Sequence, residues 1–180
     1  MKKLIAGIIL LVVFAAGLEA QKRTDTKSDA RTSSRPPAVF VSKNACPFEC
    51  CTYREWVASR DVPLHDRPRG RVIGLIKKGE HVRAVTGEVI THPEPFRVTK
   101  KENGIPAGAT AYLLHPIGEG YWLVWYRSKV VSIEADFYVR GEFKYDWWAR
   151  VETASGRSGW VQMGSPAVRL PFDNVDACGG

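Results

Sequence analysis

Val72-Ile73-Gly74-Leu75-Ile76-Lys77-Lys78-Gly79-Glu80-His81-Val82 decides the fold of this chain. A short apolar run, 72–76, is followed by a glycine-bearing turn and a second run, 81–90, that carries Val82, Val85 and Val89. Both runs are rich in β-branched residues, and neither holds the 3.6-residue period of an amphipathic helix, so they read as strands joined by a turn. The pattern continues on both sides. Val57, Val62 and Leu64 open a strand region before it, and further strands are expected at 96–99, 109–114, 121–126, 147–152 and 159–162. Glycines such as Gly70, Gly104 and Gly141 separate these runs, and no segment after the first twenty residues shows a sustained helical period. The expectation is therefore all-β, a small barrel or sandwich. Two hairpins are expected most sharply, at Gly118-Glu119-Gly120 and across Thr153-Ala154-Ser155-Gly156-Arg157-Ser158, where glycine supplies the positive φ such turns need.

The chain has 180 residues, with 44% apolar side chains and 26 basic against 19 acidic groups. That size holds one domain or two very small ones and excludes large enzyme folds such as a (β/α)₈ barrel. The start reads as an address. Lys2 and Lys3 precede an uninterrupted apolar run at 4–18, too short for a spanning helix of ~20 residues, and small residues follow at 15–20. Residues 1–20 are therefore expected to be a cleaved secretory signal, helical while attached, with an uncleaved anchor as the rival. Either way the rest is exported, secreted or periplasmic, with no membrane span after cleavage. Residues 21–38 carry Lys22, Arg23, Lys27, Arg31 and Arg35 against Asp25 and Asp29 and have no apolar period, so they read as a disordered basic linker. The domain at 39–180 keeps only a mild positive charge, which together with export argues against nucleic acid as a partner.

Four cysteines, Cys46, Cys50, Cys51 and Cys178, form an even set in an exported chain and read as two disulfides. A bridge between adjacent Cys50 and Cys51 strains the backbone. The two remaining pairings both tie Cys178 to one of that pair and Cys46 to the other, stapling the ends of the domain for on the order of 4–5 kcal/mol. A four-thiolate zinc site is the rival, disfavoured because one thiol stands alone in sequence. A catalytic thiol at Cys50 or Cys51 lacks an obvious base. His65, His81, His92 and His115 share no ligand spacing and are expected at the surface or in loops. Neither a nucleophile elbow nor a phosphate loop, a zinc-protease motif or a dinucleotide turn occurs, so no catalytic residue, cofactor or metal is expected.

The aromatic residues stand out. Tyr121-Trp122-Leu123-Val124-Trp125-Tyr126 is aromatic on both faces of one strand, so both faces are expected to be at least partly covered. Asp146-Trp147-Trp148 repeats the theme. Such residues build a core or line a groove for a peptide or glycan. The groove, if formed, is expected from Tyr121, Trp122, Trp125 and Trp147, with Tyr145 nearby.

Val62-Pro63-Leu64-His65-Asp66-Arg67-Pro68 followed by Val72 to Val82 resembles the opening of a bacterial SH3-like (SH3b-type) domain. Trp148-Ala149-Arg150-Val151 and Gly156-Arg157-Ser158-Gly159-Trp160-Val161 match that family's later "W-x-x-V" and "G-x-x-G-W-V" pieces in order. The resemblance covers residues 55–90 and 146–163. It departs at 91–145, an insertion that is either an added β-hairpin layer or a second SH3-like half, and at the N-terminal cysteines. It implies a non-enzymatic binding module whose partner is peptidoglycan or an envelope protein. The alternatives are a structural or protein–protein interaction subunit of the envelope and a small thiol-dependent hydrolase.

Overall fold

The computed structural model describes residues 35–164 and 169–178. The signal and nearly all of the basic linker expected from the sequence lie outside these residues. Within them the chain is all-β, with one short 3-10 turn at Asp136–Tyr138. Among the described residues no helix is long and apolar enough to cross a membrane.

The strands are β1 Phe40–Lys43, β2 Glu55–Ala58, β3 Val62–His65, β4 Val72–Ile76, β5 His81–Thr91, β6 Glu94–Arg97, β7 Thr110–Gly118, β8 Tyr121–Tyr126, β9 Lys129–Glu134, β10 Tyr145–Thr153, β11 Ser158–Gln162 and β12 Phe172–Asp173. Eight of them form one curled sheet in the order β12-β2-β5-β10-β11-β3-β4, with β1 also paired to β5. Long β5 is its spine. It pairs with β10 from Val82 to Thr91, while its other edge takes β2 at His81–Arg83 and β1 at Glu88–Thr91. Alternation puts Val82, Ala84, Val89, Trp147, Ala149 and Val151 on the inner face, where Trp56 and Trp147 meet edge to face at 6.4 Å.

Residues 92–144 leave at the end of β5 and return at the start of β10, where Tyr145 is paired with Thr91. The insertion therefore starts and ends on neighbouring strands, so it lengthens one hairpin without breaking the ladder. It folds as a second sheet, the antiparallel meander β6-β7-β8-β9, with its own core of Val98, Ile105, Leu113, Trp122, Val124 and Ile133. The expected β7–β8 hairpin closes through Glu119 (φ 48°) and Gly120 (φ 77°). Strand β9 is not among the expected ones. Its turn, Arg127 (φ 46°) and Ser128 (φ 66°), adopts the same doubly positive geometry without the Asn or Gly that announces it in a sequence.

Both disulfides form, as Cys46–Cys51 and Cys50–Cys178. The C-terminal segment lies antiparallel along the start of the domain. Cys51 bridges Asp176, the Thr52 amide donates to Val175 O at 3.1 Å, and the Arg54 guanidinium donates to Asn174 O and Asp176 O. The Cys46–Cys51 loop also touches the inserted sheet, because a Cβ on Gly118 would fall 2.9 Å from the Glu49 backbone nitrogen.

Gly87 of β5 is required by a closer approach. A Cβ there would fall 1.9 Å from the Tyr53 hydroxyl and 2.9 Å from Ala45 O. That hydroxyl donates to Ala45 O and accepts from the Trp147 indole at 3.3 Å, and burial pushes its pKa up to about 12. Gly87→Ala should cost about 1–3 kcal/mol through overpacking. In a Tyr53→Phe background, where the clashing oxygen is gone, urea denaturation should show a smaller loss.

His115 corrects an expectation, since it is buried in β7 and not at the surface. A register shift between Leu113 and His115 turns it inward. Its Nδ1–H donates to Pro116 O at 2.8 Å, its Nε2 has no hydrogen-bond partner, and burial holds its pKa below the ordinary 6.5. The neutral ring is the folded form, so the stability it supports is complete above pH 6.5 and declines as pH falls below that value. Denaturation midpoints across the acid range should show this slope in the wild type and a flatter one in His115→Leu.

Candidate binding surface

The five aromatic residues expected to line a groove are placed in different environments. Trp147 is fully buried in the core of the large sheet. Trp122 is buried in the core of the inserted sheet, where its indole donates to Asp136 Oδ1 at 2.5 Å and meets Phe143 edge to face. Trp125 is half-buried with its ring against Phe40 at 6.0 Å, Tyr145 is half-buried beside Phe143, and Tyr121 is exposed. Strand alternation accounts for this split. Trp122 and Val124 face the inserted core, and Tyr121, Leu123 and Trp125 face the other way.

A different pair, Tyr126 and Arg127, sits where the surface opens. Tyr126 ends β8 and Arg127 begins the β8–β9 turn, with its guanidinium carbon 5.3 Å from the centre of the Tyr126 ring. A cavity of about 290 Å³ lies on one side, lined by Arg35, Ala109, Thr110, Tyr112, Tyr126 and Arg127. A second, of about 240 Å³, lies on the other, lined by Asn103, Gly104, Tyr126, Arg127, Lys129 and Val131. Among the described residues the two linings hold three cationic side chains, two phenols and no carboxylate. The turn positions the cation, because positive φ at Arg127 and Ser128 reverses the chain within two residues.

Tyr126 was legible as part of the aromatic run, and Arg35 as part of the basic linker. Nothing in the sequence brings Tyr112 and Arg35 to them. For Tyr112 that needs the β7–β8 register, which sets it opposite Trp125.

A third cavity, of about 200 Å³, includes Asp61 and His65. Asp61 is already engaged. It accepts from the Lys78 amide and from Lys77 Nζ, both at 2.9 Å, and these bonds hold its carboxyl below its usual pKa. Cys50, Asp176 and Cys178 also cluster. Both sulfurs are bridged, so neither offers the thiolate that a metal site or a nucleophile needs.

No protein family, characterised protein or solved structure matches the chain.

Trp122→Ala and Trp147→Ala should each cost about 3–5 kcal/mol, whereas Tyr121→Ala should stay within about 0.5 kcal/mol of wild type. Chemical denaturation of the three variants checks this division between core and surface.

Proposed function

We propose that this chain is an exported, non-enzymatic binding module that recognises cell-wall (peptidoglycan) material, built on an SH3-like (SH3b-type) barrel with an inserted β layer. The strand order supports the barrel. The segments that carry the resemblance supply β2, β3, β4, β5, β10 and β11, which lie side by side as β2-β5-β10-β11-β3-β4. The disulfides support export, because such bonds persist in oxidising compartments.

The carboxylate-free Tyr–Arg surface carries the ligand assignment. Peptidoglycan presents sugar faces and free carboxylates on its peptides. Guanidinium groups pair with carboxylates through charge-assisted hydrogen bonds, and phenol rings pack on the apolar faces of sugars while their hydroxyls hydrogen-bond. Arg35 and Arg127 supply the first chemistry, and Tyr112 and Tyr126 the second.

The test is retention of mature protein on purified insoluble peptidoglycan at low and high salt. Wild type should be retained at both. Arg35→Gln combined with Arg127→Asn should lower affinity about tenfold or more, the scale of one or two charge-assisted hydrogen bonds, with an unchanged melting temperature. Asn suits position 127 because it tolerates positive φ. No retention of wild type would reject the wall as ligand. Retention lost at high salt and equal in the variant would assign binding to the other cations of the basic segment, Lys22, Arg23, Lys27 and Arg31, and reject this surface.

A further inference from the structure

We propose that the open edge of β4 is a second, separate docking site, which takes an extended segment of another protein with alternating apolar and acidic side chains. The inference begins with how the other edges are closed. Strand β6 carries Pro95. Strand β9 is covered from outside, with Glu102 accepting from the Glu134 amide and Asn103 donating to Ser132 O. Strand β12 is two residues long. Strand β1, four residues long and paired to β5, carries Lys43. All four are ordinary ways of blunting an edge.

Strand β4 is the last strand of the large sheet at its end, and none of its five side chains is charged. Val72, Ile73 and Leu75 are 57%, 47% and 39% exposed, although Ile76 is fully buried and anchors the strand. Leu75 lies opposite Pro63. Proline has no N–H, so this is a position without ladder bonds, and the Leu75 N–H and C=O point to the open edge. A guest strand would find these two groups free to pair.

The charges choose the guest. Residues 67–79 hold Arg67, Arg69, Arg71, Lys77 and Lys78 and no acidic group. Asp146, Asp66 and Asp61 pair with Arg69, Arg71 and Lys77, and among the described residues the side chains of Arg67 and Lys78 have no acidic partner. Arg157 adds a cation on the strand itself, its guanidinium nitrogen lying 2.8 Å from where a Gly74 Cβ would stand. Val72 and Leu75, opposite His65 and Pro63 of β3, share one face, and Gly74, opposite Leu64, is on the other with Arg157, while Ile73 is the extra residue of a bulge between them. A guest that fits presents apolar side chains to the first face and a carboxylate to the second.

A second copy of this chain fits poorly. Any antiparallel self-pairing lays two copies of a segment with five cations and no acidic group side by side, and in the register centred on Gly74 Arg71 stands opposite Lys77, where like charges are destabilising.

The experiment uses a blocked seven-residue peptide of alternating valine and glutamate, with a valine–lysine peptide as control, on the full disulfide-bonded protein. Titration should slow hydrogen exchange of the Leu75 amide at least tenfold, and the lysine peptide should bind at least tenfold more weakly. Leu75→Pro removes the outward N–H without removing a ladder bond and should abolish binding with the melting temperature preserved. Arg157→Gln should weaken binding at least fivefold, and it decides the matter if Leu75→Pro does not fold. The proposal fails if Leu75 gains no protection, if both peptides bind equally, or if Leu75 becomes protected by raising protein concentration alone, which would make the edge a contact between copies. Arg35 and Arg127 take no part, so this result is independent of peptidoglycan retention.

Discussion

Everything in this molecule hangs on the ladder between β5 and β10. It runs from Val82–Thr153 at one end to Thr91–Tyr145 at the other, with a bulge at Arg150/Val151. Among the described residues strand β5 is also the only partner of β1, and it joins β2 to the rest of the large sheet. The close approach at Gly87 lets Tyr53 and the cysteine loop lie against this strand. Without it, the hydroxyl that links Ala45 O to the Trp147 indole would have no room. A hydrogen bond, an aromatic core and a staple loop thus converge on one residue without a side chain.

The ladder also explains the tolerance of a large insertion. The cost of closing a loop grows only logarithmically with its length, and it is smallest in consequence when the ends are already neighbours. Residues 92–144 meet that condition, because Thr91 and Tyr145 face each other across two paired strands. The inserted segment then needs its own core to offset the entropy of ordering it. It has one, around Trp122 and Ile133, and it is held to the large sheet by Phe40 against Trp125 and by Glu49 against Gly118.

What the sequence made legible follows the physics of each signal. β-branched runs ended by glycine carry local information, so β4 and β8 match their expected limits and both expected hairpins form. The Arg127-Ser128 turn adopts a glycine-like backbone with ordinary residues, and β9 after it was not legible. The cysteines limited the pairing to two choices, and the choice depended on where residues 174–178 lie, a contact remote in sequence. The aromatic run was correctly read as facing two ways, but which face is interior is a property of packing. Trp122 and Trp147 went to the two cores, and the open positions fell to Tyr126 and its neighbour Arg127. The burial of His115 required a register shift, which hydrophobic patterning does not announce.

The disulfides then acquire a role beyond closing the domain. A crosslink between residues separated by 128 positions restricts the unfolded chain far more than one spanning five. The Cys50–Cys178 bridge is therefore the main thermodynamic staple, and Cys46–Cys51 shapes a local loop. That local loop is the one that touches Gly118, at the turn between β7 and β8. These two strands carry Tyr112 and Tyr126. The smaller bridge thus stands at the junction of the two sheets, at the Gly118 end of the β7–β8 hairpin, whereas Tyr112 and Tyr126 lie toward its other end, so the loop fixes the turn of the hairpin and leaves the cavity-lining end to the inserted core.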